Sequence, residues 1–173
     1  MKRVPQLYER DIMTLTLPQK SHTKKSSTIP DAALKLLREG FFAYLGTAEP
    51  GCEPHVTAMF YLWDKSTKTI YLVTSKGSKK VLNIRRNRNV SVTIDQRDPV
   101  SPAGNSGVMI QGKAFLIEME LAPEELMLKY MEKYIDFLGT GYPLGSRIAI
   151  RVTPKSISYW RGTEFFKWKN PKK

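Results

Sequence analysis

Residues 41–75, FFAYLGTAEPGCEPHVTAMFYLWDKSTKTIYLVTS, decide the fold. Apolar and aromatic side chains run through 41–47, Pro50 and Gly51 mark a turn, and residues 55–63 form a second run of the same kind. A polar DKSTKT turn follows, and IYLVT (70–74) makes a third run. Short runs rich in β-branched and aromatic residues, separated by turn signals, read as strands rather than helices. Three in succession make a β-meander.

Toward the N-terminus, IPDAALKLLREG (29–40) predicts a short helix. Pro30 and Asp31 suit its first turn, Gly40 its C-cap, and Leu34 and Leu37 its inner face. Residues 1–28 are polar, with little periodicity at QKSHTKKSST, and read as a basic arm or partly ordered extension. Toward the C-terminus, TSKGSKKVLNIRRNRN (74–89) predicts a strand end, a Gly-Ser turn and a short helix whose apolar face is only Val81, Leu82 and Ile84. VSVTID (90–95) is a strand. VMIQGKAFLIEME (108–120) is a long strand with a Gly-Lys interruption. APEELMLKYMEKYIDFLG (122–139) is the clearest helix: Pro123 opens it, Glu124 and Glu125 suit its dipole, and Gly139 closes it. Its stripe of Leu126, Tyr130, Met131, Tyr134 and Leu138 reads as core packing. RIAIRVTPKSISYW (147–160) alternates as a final strand, with Ile148, Ile150 and Val152 on one side. Many strands on short turns with a few helices predict a mainly β protein, an antiparallel barrel, occupying residues 29–173 as one domain.

The 173 residues are enough for one domain with a single core. No apolar run approaches the ~20 residues that span a bilayer, and the segment behind Met1-Lys2-Arg3 is not apolar as a secretory signal requires. Cys52 is the sole cysteine, so no internal disulfide forms, and His22 and His55 are too few for a zinc site. A cytoplasmic protein without a structural metal is expected. The net charge of +12 lies mostly at the ends. Residues 1–28 hold six Lys/Arg against two acids, and residues 151–173 hold seven against one. Basic arms of this kind bind nucleic acid loosely through counterion release or keep a chain soluble. The second reading is preferred here.

No GxSxG, Walker, GxGxxG or HExxH pattern is present. Asp95 and Asp98 read as turn chemistry, and His55 as a half-buried strand residue. The chain offers no catalytic residue of its own, so any reaction would be carried by a cofactor. The segment from Lys76 to Arg88 holds six cations and no carboxylate. Ser78 is placed to cap the helix, and Lys79 and Lys80 fall in its first turn, where the dipole disfavours cations. A phosphate bound there resolves the conflict; lysines splayed into solvent are the alternative. Arg85, Arg86 and Arg88 lie at the opposite helix end, which cations suit.

In its order of elements the chain resembles the flavin-binding split barrel of the pyridoxamine 5′-phosphate oxidase superfamily. The order is strand, VTSKGSKK, helix, strand, VMIQGKA, then ISYWRG, over about residues 30–168. The resemblance implies a homodimer that builds each flavin site at the subunit interface. It implies that Thr74, Lys79 and Lys80 hold the FMN phosphate, with Val73 lining the site, and Ser78 at the turn is counted with the cofactor-binding residues. The PHVTAMFY strand would lie against the flavin, placing His55, Val56, Thr57, Ala58 and Met59 beside the ring and ribityl chain. Trp160 would reach the flavin from the partner subunit, and Gln111 would contact the partner. Two departures argue against vitamin B6 oxidation. The arginine that authentic oxidases carry in the HVTAMF strand is missing, which weakens the phosphate grip. The Arg-x-His element after the tryptophan is replaced by RGTEFFKWKNPKK.

The expectation is an FMN-dependent oxidoreductase acting on a small-molecule redox substrate. A deazaflavin-dependent reductase on the same fold is the alternative, with Lys76 and Arg85 available to a long phosphorylated tail. A flavin or haem carrier without turnover, with His55 as the haem ligand, is a further reading. Nucleic-acid binding through the arms and the 76–88 cluster is the least favoured.

Overall fold

The computed structural model describes residues 23–138 and 146–171. Most of the basic arm, residues 1–22, lies outside the described residues, as does the 139–145 connection. Among the described residues the chain forms nine strands and three helices. They run β1 (Thr23–Ser26), α1 (Asp31–Glu39), β2 (Phe42–Ala48), β3 (Pro54–Phe60), β4 (Leu62–Asp64), β5 (Thr69–Ser75) and α2 (Lys79–Arg86). Then follow β6 (Asn89–Gln96), β7 (Ser106–Glu118), α3 (Glu124–Leu138), β8 (Arg147–Arg161) and β9 (Glu164–Lys169). None of the described helices is long and apolar enough to cross a membrane.

One sheet carries all the strands in the order β1-β9-β8-β7-β6-β2-β3, with β5 pairing the first part of β8 along the edge that β9 takes further on, and β4 beyond β5. All pairs are antiparallel except β1 with β9. The mainly β split barrel expected from the sequence is therefore the architecture found. Its interior is filled by alternate residues of the strands, among them Leu45, Ile70, Leu72, Val92, Ile94, Val108, Ile110, Ile150 and Val152. Helix α1 closes one side through Ala33, Leu36 and Leu37, the spacing of one helical face.

Three local features differ in detail from the sequence reading. The run expected over 55–63 breaks at Tyr61: β3 before it pairs with β2, and β4 after it pairs with β5. The Gly-Lys interruption in β7 is a register shift between Gln111 and Gly112 against β8, a bulge where β8 backbone passes too close for a side chain. The turn at 50–51 places its left-handed residue at Cys52 (φ 65°), one position after the glycine.

The break at Tyr61 is where the barrel splits. Leaving one ladder for another strands a peptide group in the interior, and buried N–H and C=O groups need partners. Tyr134 of α3 supplies both. Its hydroxyl accepts from the Tyr61 N–H at 3.0 Å and donates to the Tyr61 carbonyl at 2.6 Å, with the Phe41 carbonyl at 2.9 Å. The Tyr61 hydroxyl in turn donates to the Leu36 carbonyl at 3.1 Å. Lys133 on the same helix reaches the carbonyl of Gly40 at 2.6 Å and those of Arg38 and Tyr61 at 3.4 and 3.5 Å. Two of these are orphan carbonyls at the end of α1, which a cation suits. The α3 stripe read as core packing thus does more than pack: it staples the split.

Candidate functional site

Beyond Tyr61, β3 and β5 approach each other without forming a ladder. β4 covers β5 only over Thr69–Tyr71, so one edge of Val73 and Thr74 faces β3 with no strand between. The groove left there has a volume of about 270 Å³. Its β3 wall is Thr57, Ala58, Met59 and Phe60, its β5 wall Val73 and Thr74. Phe42 of β2, Lys80 of α2, Tyr130 of α3 and Arg147 at the start of β8 complete it.

One end of the groove is aromatic. Phe60 stacks on Tyr134 with centroids 4.4 Å apart and on Phe42 at 5.2 Å, which anchors the wall to the α3 staple. The other end is cationic. The Lys80 ammonium donates to Thr74 Oγ1 at 3.3 Å, and Thr74 Oγ1 lies 3.4 Å from Ser78 Oγ. Burial lowers the Lys80 pKa from its ordinary value. No carboxylate lines the groove among the described residues. A half-buried ammonium beside hydroxyl groups, with apolar walls leading away, can accept an anionic group next to an apolar one.

Of the residues singled out in the sequence, Thr57, Ala58, Met59, Val73, Thr74 and Lys80 meet in this groove. The others lie elsewhere in this chain. His55 is half-buried on β3 with Nε2 3.2 Å from Thr57 Oγ1. Val56 is exposed and borders, with Gln111 and Gly46, a shallow depression on the outer face of the sheet. Ser78 occupies the N-cap of α2 without a side-chain capping bond. Lys79 turns from the groove to Glu49 of the β2–β3 turn, at 2.7 Å. Trp160 lies over Gly107 on the outer sheet face, with the Arg97 guanidinium 4.9 Å from its ring centroid. Asp95 pairs with Arg97, and Asp98 accepts from the N–H groups of Val100 and Ser101, the turn chemistry expected of them.

Sequence reasoning missed four lining residues: Phe42, Phe60, Tyr130 and Arg147. The first three looked like core by composition. Arg147 stood on the polar side of an alternating strand, where nothing local distinguishes a ligand contact from a solvated cation. The six cations of 76–88 are also not one patch. Lys76 pairs with Glu118 at 2.6 Å, Lys79 with Glu49, and Arg88 stacks on Phe115 with 5.4 Å to the centroid.

The sequence profile of the pyridoxamine 5′-phosphate oxidase family matches residues 29–161. The chain belongs to that family. The match spans α1 to the end of β8, so it includes both walls of the groove and its cationic end. Among solved structures, a putative pyridoxamine 5′-phosphate oxidase from Listeria innocua is 28% identical, with a TM-score of 0.57 over 73% of this chain and 94% of its own. An F420 reductase is 24% identical, with a TM-score of 0.61 over 75% of this chain and 98% of its own. An FAD-binding protein from Mesorhizobium loti is 20% identical, with a TM-score of 0.59 over 76% and 94%. These last two bear on the fold alone. Curated protein sequences provide no match.

Proposed function

We propose that this pyridoxamine 5′-phosphate oxidase family member is an FMN-dependent oxidoreductase that holds its flavin in the β3–β5 groove. The carrying observation is the pairing of apolar groove walls with the desolvated Lys80 ammonium and Thr74 hydroxyl at one end. Lys80, Thr74 and Ser78 would hold the phosphate, and Val73 and the Thr57–Met59 edge of β3 would lie along the rest. The bound flavin supplies hydride chemistry. This chain's residues bind it, exclude water with Phe42, Phe60 and Met59, and leave no side chain as an evident acid or base. The missing Arg-x-His element argues against vitamin B6 oxidation.

A homodimer follows from the same reading. Tyr44 pairs across the sheet with Ala58 and Thr93, and Thr93 with Met109, so these residues share the outer face. Tyr44, Val56 and Met109 are 46%, 62% and 50% exposed, an apolar patch that a second copy would cover. Gln111 and Trp160 stand on that face too, Gln111 opposite Ser91 and Trp160 opposite Gly107, and on this reading they would contact the second copy.

The deazaflavin alternative asks for free cations along a longer phosphorylated tail. Lys76 and Lys79 are each held by a carboxylate, which favours the compact phosphate of FMN. Among the described residues no cluster of His, Cys, Asp or Glu could hold a metal, and His55 does not line the groove. The test is the absorption spectrum of the purified protein, followed by denaturation and mass analysis of any released chromophore. FMN bands support the proposal. A released deazaflavin, a Soret band, or a colourless protein that takes up no FMN contradicts it.

A further inference from the structure

We propose that the mouth of the barrel beneath α1 is a second ligand site, which takes a small molecule through its carboxylate or phosphate oxyanion. The site shares no lining residue with the β3–β5 groove, so it stands whether or not a flavin binds there.

The cavity has a volume of about 500 Å³. One wall is a row across three strands: Gln96 is the register partner of Ser106, and Ser106 that of Arg161. Alternation along the strands puts this row on the same face as Ile94, Val108 and Tyr159, the core row two residues further in. Trp160 and its partner Gly107 stand on the opposite face, so Arg161 is directed away from the tryptophan that it follows. The facing wall is α1, where Ala32, Lys35, Leu36 and Glu39 have the spacing of one helical face.

Ser106 and Tyr159 are only 8% and 6% exposed, and their hydroxyls form no hydrogen bond among the described residues. Neither oxygen is sealed from water, so both open into the cavity that these residues line. A buried hydroxyl without a partner is costly, and a bound molecule supplies one. The charges say which kind. Both carboxyl residues along the wall are already engaged: Glu39 with Arg38 at 3.2 Å and Lys35 at 4.0 Å, and Asp95 with Arg97 at 2.7 Å. Asp95 also belongs to the Gly107 row on the other face. Arg161 lines the cavity and has no carboxylate partner among the described residues. A guanidinium fork beside two hydroxyl donors matches an oxyanion: the fork takes two oxygens, and the hydroxyls donate to the lone pairs that remain. Ala32 and Leu36 give the rest of the molecule an apolar wall.

The experiment titrates inorganic phosphate and, separately, malonate into the isotope-labelled full-length protein at constant ionic strength, and follows its backbone amide signals by two-dimensional NMR. The proteins are the wild type, Arg161→Gln, Tyr159→Phe and Lys80→Met, each checked by circular dichroism and melting temperature. In the wild type the amides of Gln96, Ser106 and Arg161 should shift together and saturate, with a dissociation constant of about 1 mM for at least one probe. Arg161→Gln should weaken that binding by at least about tenfold, and Tyr159→Phe by about three- to tenfold. Lys80→Met should leave it unchanged. Shifts confined to Thr74 and Lys80 would place anion binding in the β3–β5 groove alone and overturn the inference. No shift with either probe, or shifts spread over the lysine-rich surface without saturation, would overturn it as well. So would wild-type affinity in Arg161→Gln or in Tyr159→Phe.

Discussion

Lys133 and Lys80 both lose hydration to the fold, and burial lowers the pKa of each, that of Lys133 to about 8. Their surroundings differ. The Lys133 ammonium meets three backbone carbonyls and sits over the rings of Tyr61, Tyr134 and Phe41, at 4.5, 5.4 and 5.8 Å from their centroids. Every strong acceptor it needs is part of the chain. Lys80 has one hydroxyl at 3.3 Å, and no described carboxylate lines the groove it enters. A buried polar group is stable when its partners are present. By that measure Lys133 is complete within the protein, whereas under the proposed function Lys80 would be completed by an anionic ligand. One lysine maintains the split in the barrel; the other is the one assigned by the proposal to what binds in it.

The comparison can be broken most forcefully at the staple. Tyr134→Phe leaves the Tyr61 N–H and carbonyl without their partner in the interior, and should destabilise the fold by about 3 kcal/mol. That is a drop in melting temperature of roughly 6–12 °C. A melt that does not move would show that Tyr134 is not what holds the two ladders together. Next come the two lysines as a crossed pair. Lys133→Met should lower stability by about 2 kcal/mol in urea unfolding, with FMN affinity unchanged. Lys80→Met should leave stability unchanged and weaken FMN about 30-fold. If either substitution produces the other's phenotype, the distinction between them fails.

pH sharpens the same contrast. A lysine whose folded pKa is depressed holds fewer protons than the unfolded chain between the two pKa values, so stability rises with pH across that interval. For Lys133 the interval runs from about 8 to 10.5. Tyr61 and Tyr134 act oppositely. Burial raises both, Tyr134 to about 12, so their contribution is present below pH 10 and is lost as pH rises beyond it. Stability should climb gently above pH 8 and turn down above pH 10. Tyr134→Phe should remove part of the downturn. FMN affinity has a separate dependence: it should fall as pH rises through the lowered pKa of Lys80, while riboflavin affinity stays flat. The smallest effect is expected at Glu49, whose exposed partner makes the pair weak. Glu49→Gln releases Lys79 and should tighten FMN binding only two- to three-fold by calorimetry.

Much of the barrel was legible because its signals are local. The strand runs of 41–75, the register shift at Gly112 and the ends of α1 each depend on a few adjacent residues, while the Gly139 cap expected for α3 lies outside the described residues. Part of the candidate groove was legible for the same reason, since Val73, Thr74 and Lys80 lie close together in the chain. What stayed hidden depends on contacts across the fold. The choice of Glu49 by Lys79, and of Glu118 by Lys76, requires knowing which turn and strand end approach α2. Arg147 is 73 positions from Thr74, and only strand pairing brings it there. Tyr134 reads as one more core aromatic until the broken ladder at Tyr61 shows what its hydroxyl satisfies.

The central claim is that the β3–β5 groove ends in a phosphate site built around Lys80. Its most direct test is the ratio of FMN to riboflavin affinity in the wild type and in Lys80→Met. The account predicts that the wild type prefers FMN by at least about tenfold and that the preference falls toward unity in Lys80→Met. A wild type that binds the two flavins equally, or a Lys80→Met protein that keeps the preference, would contradict it.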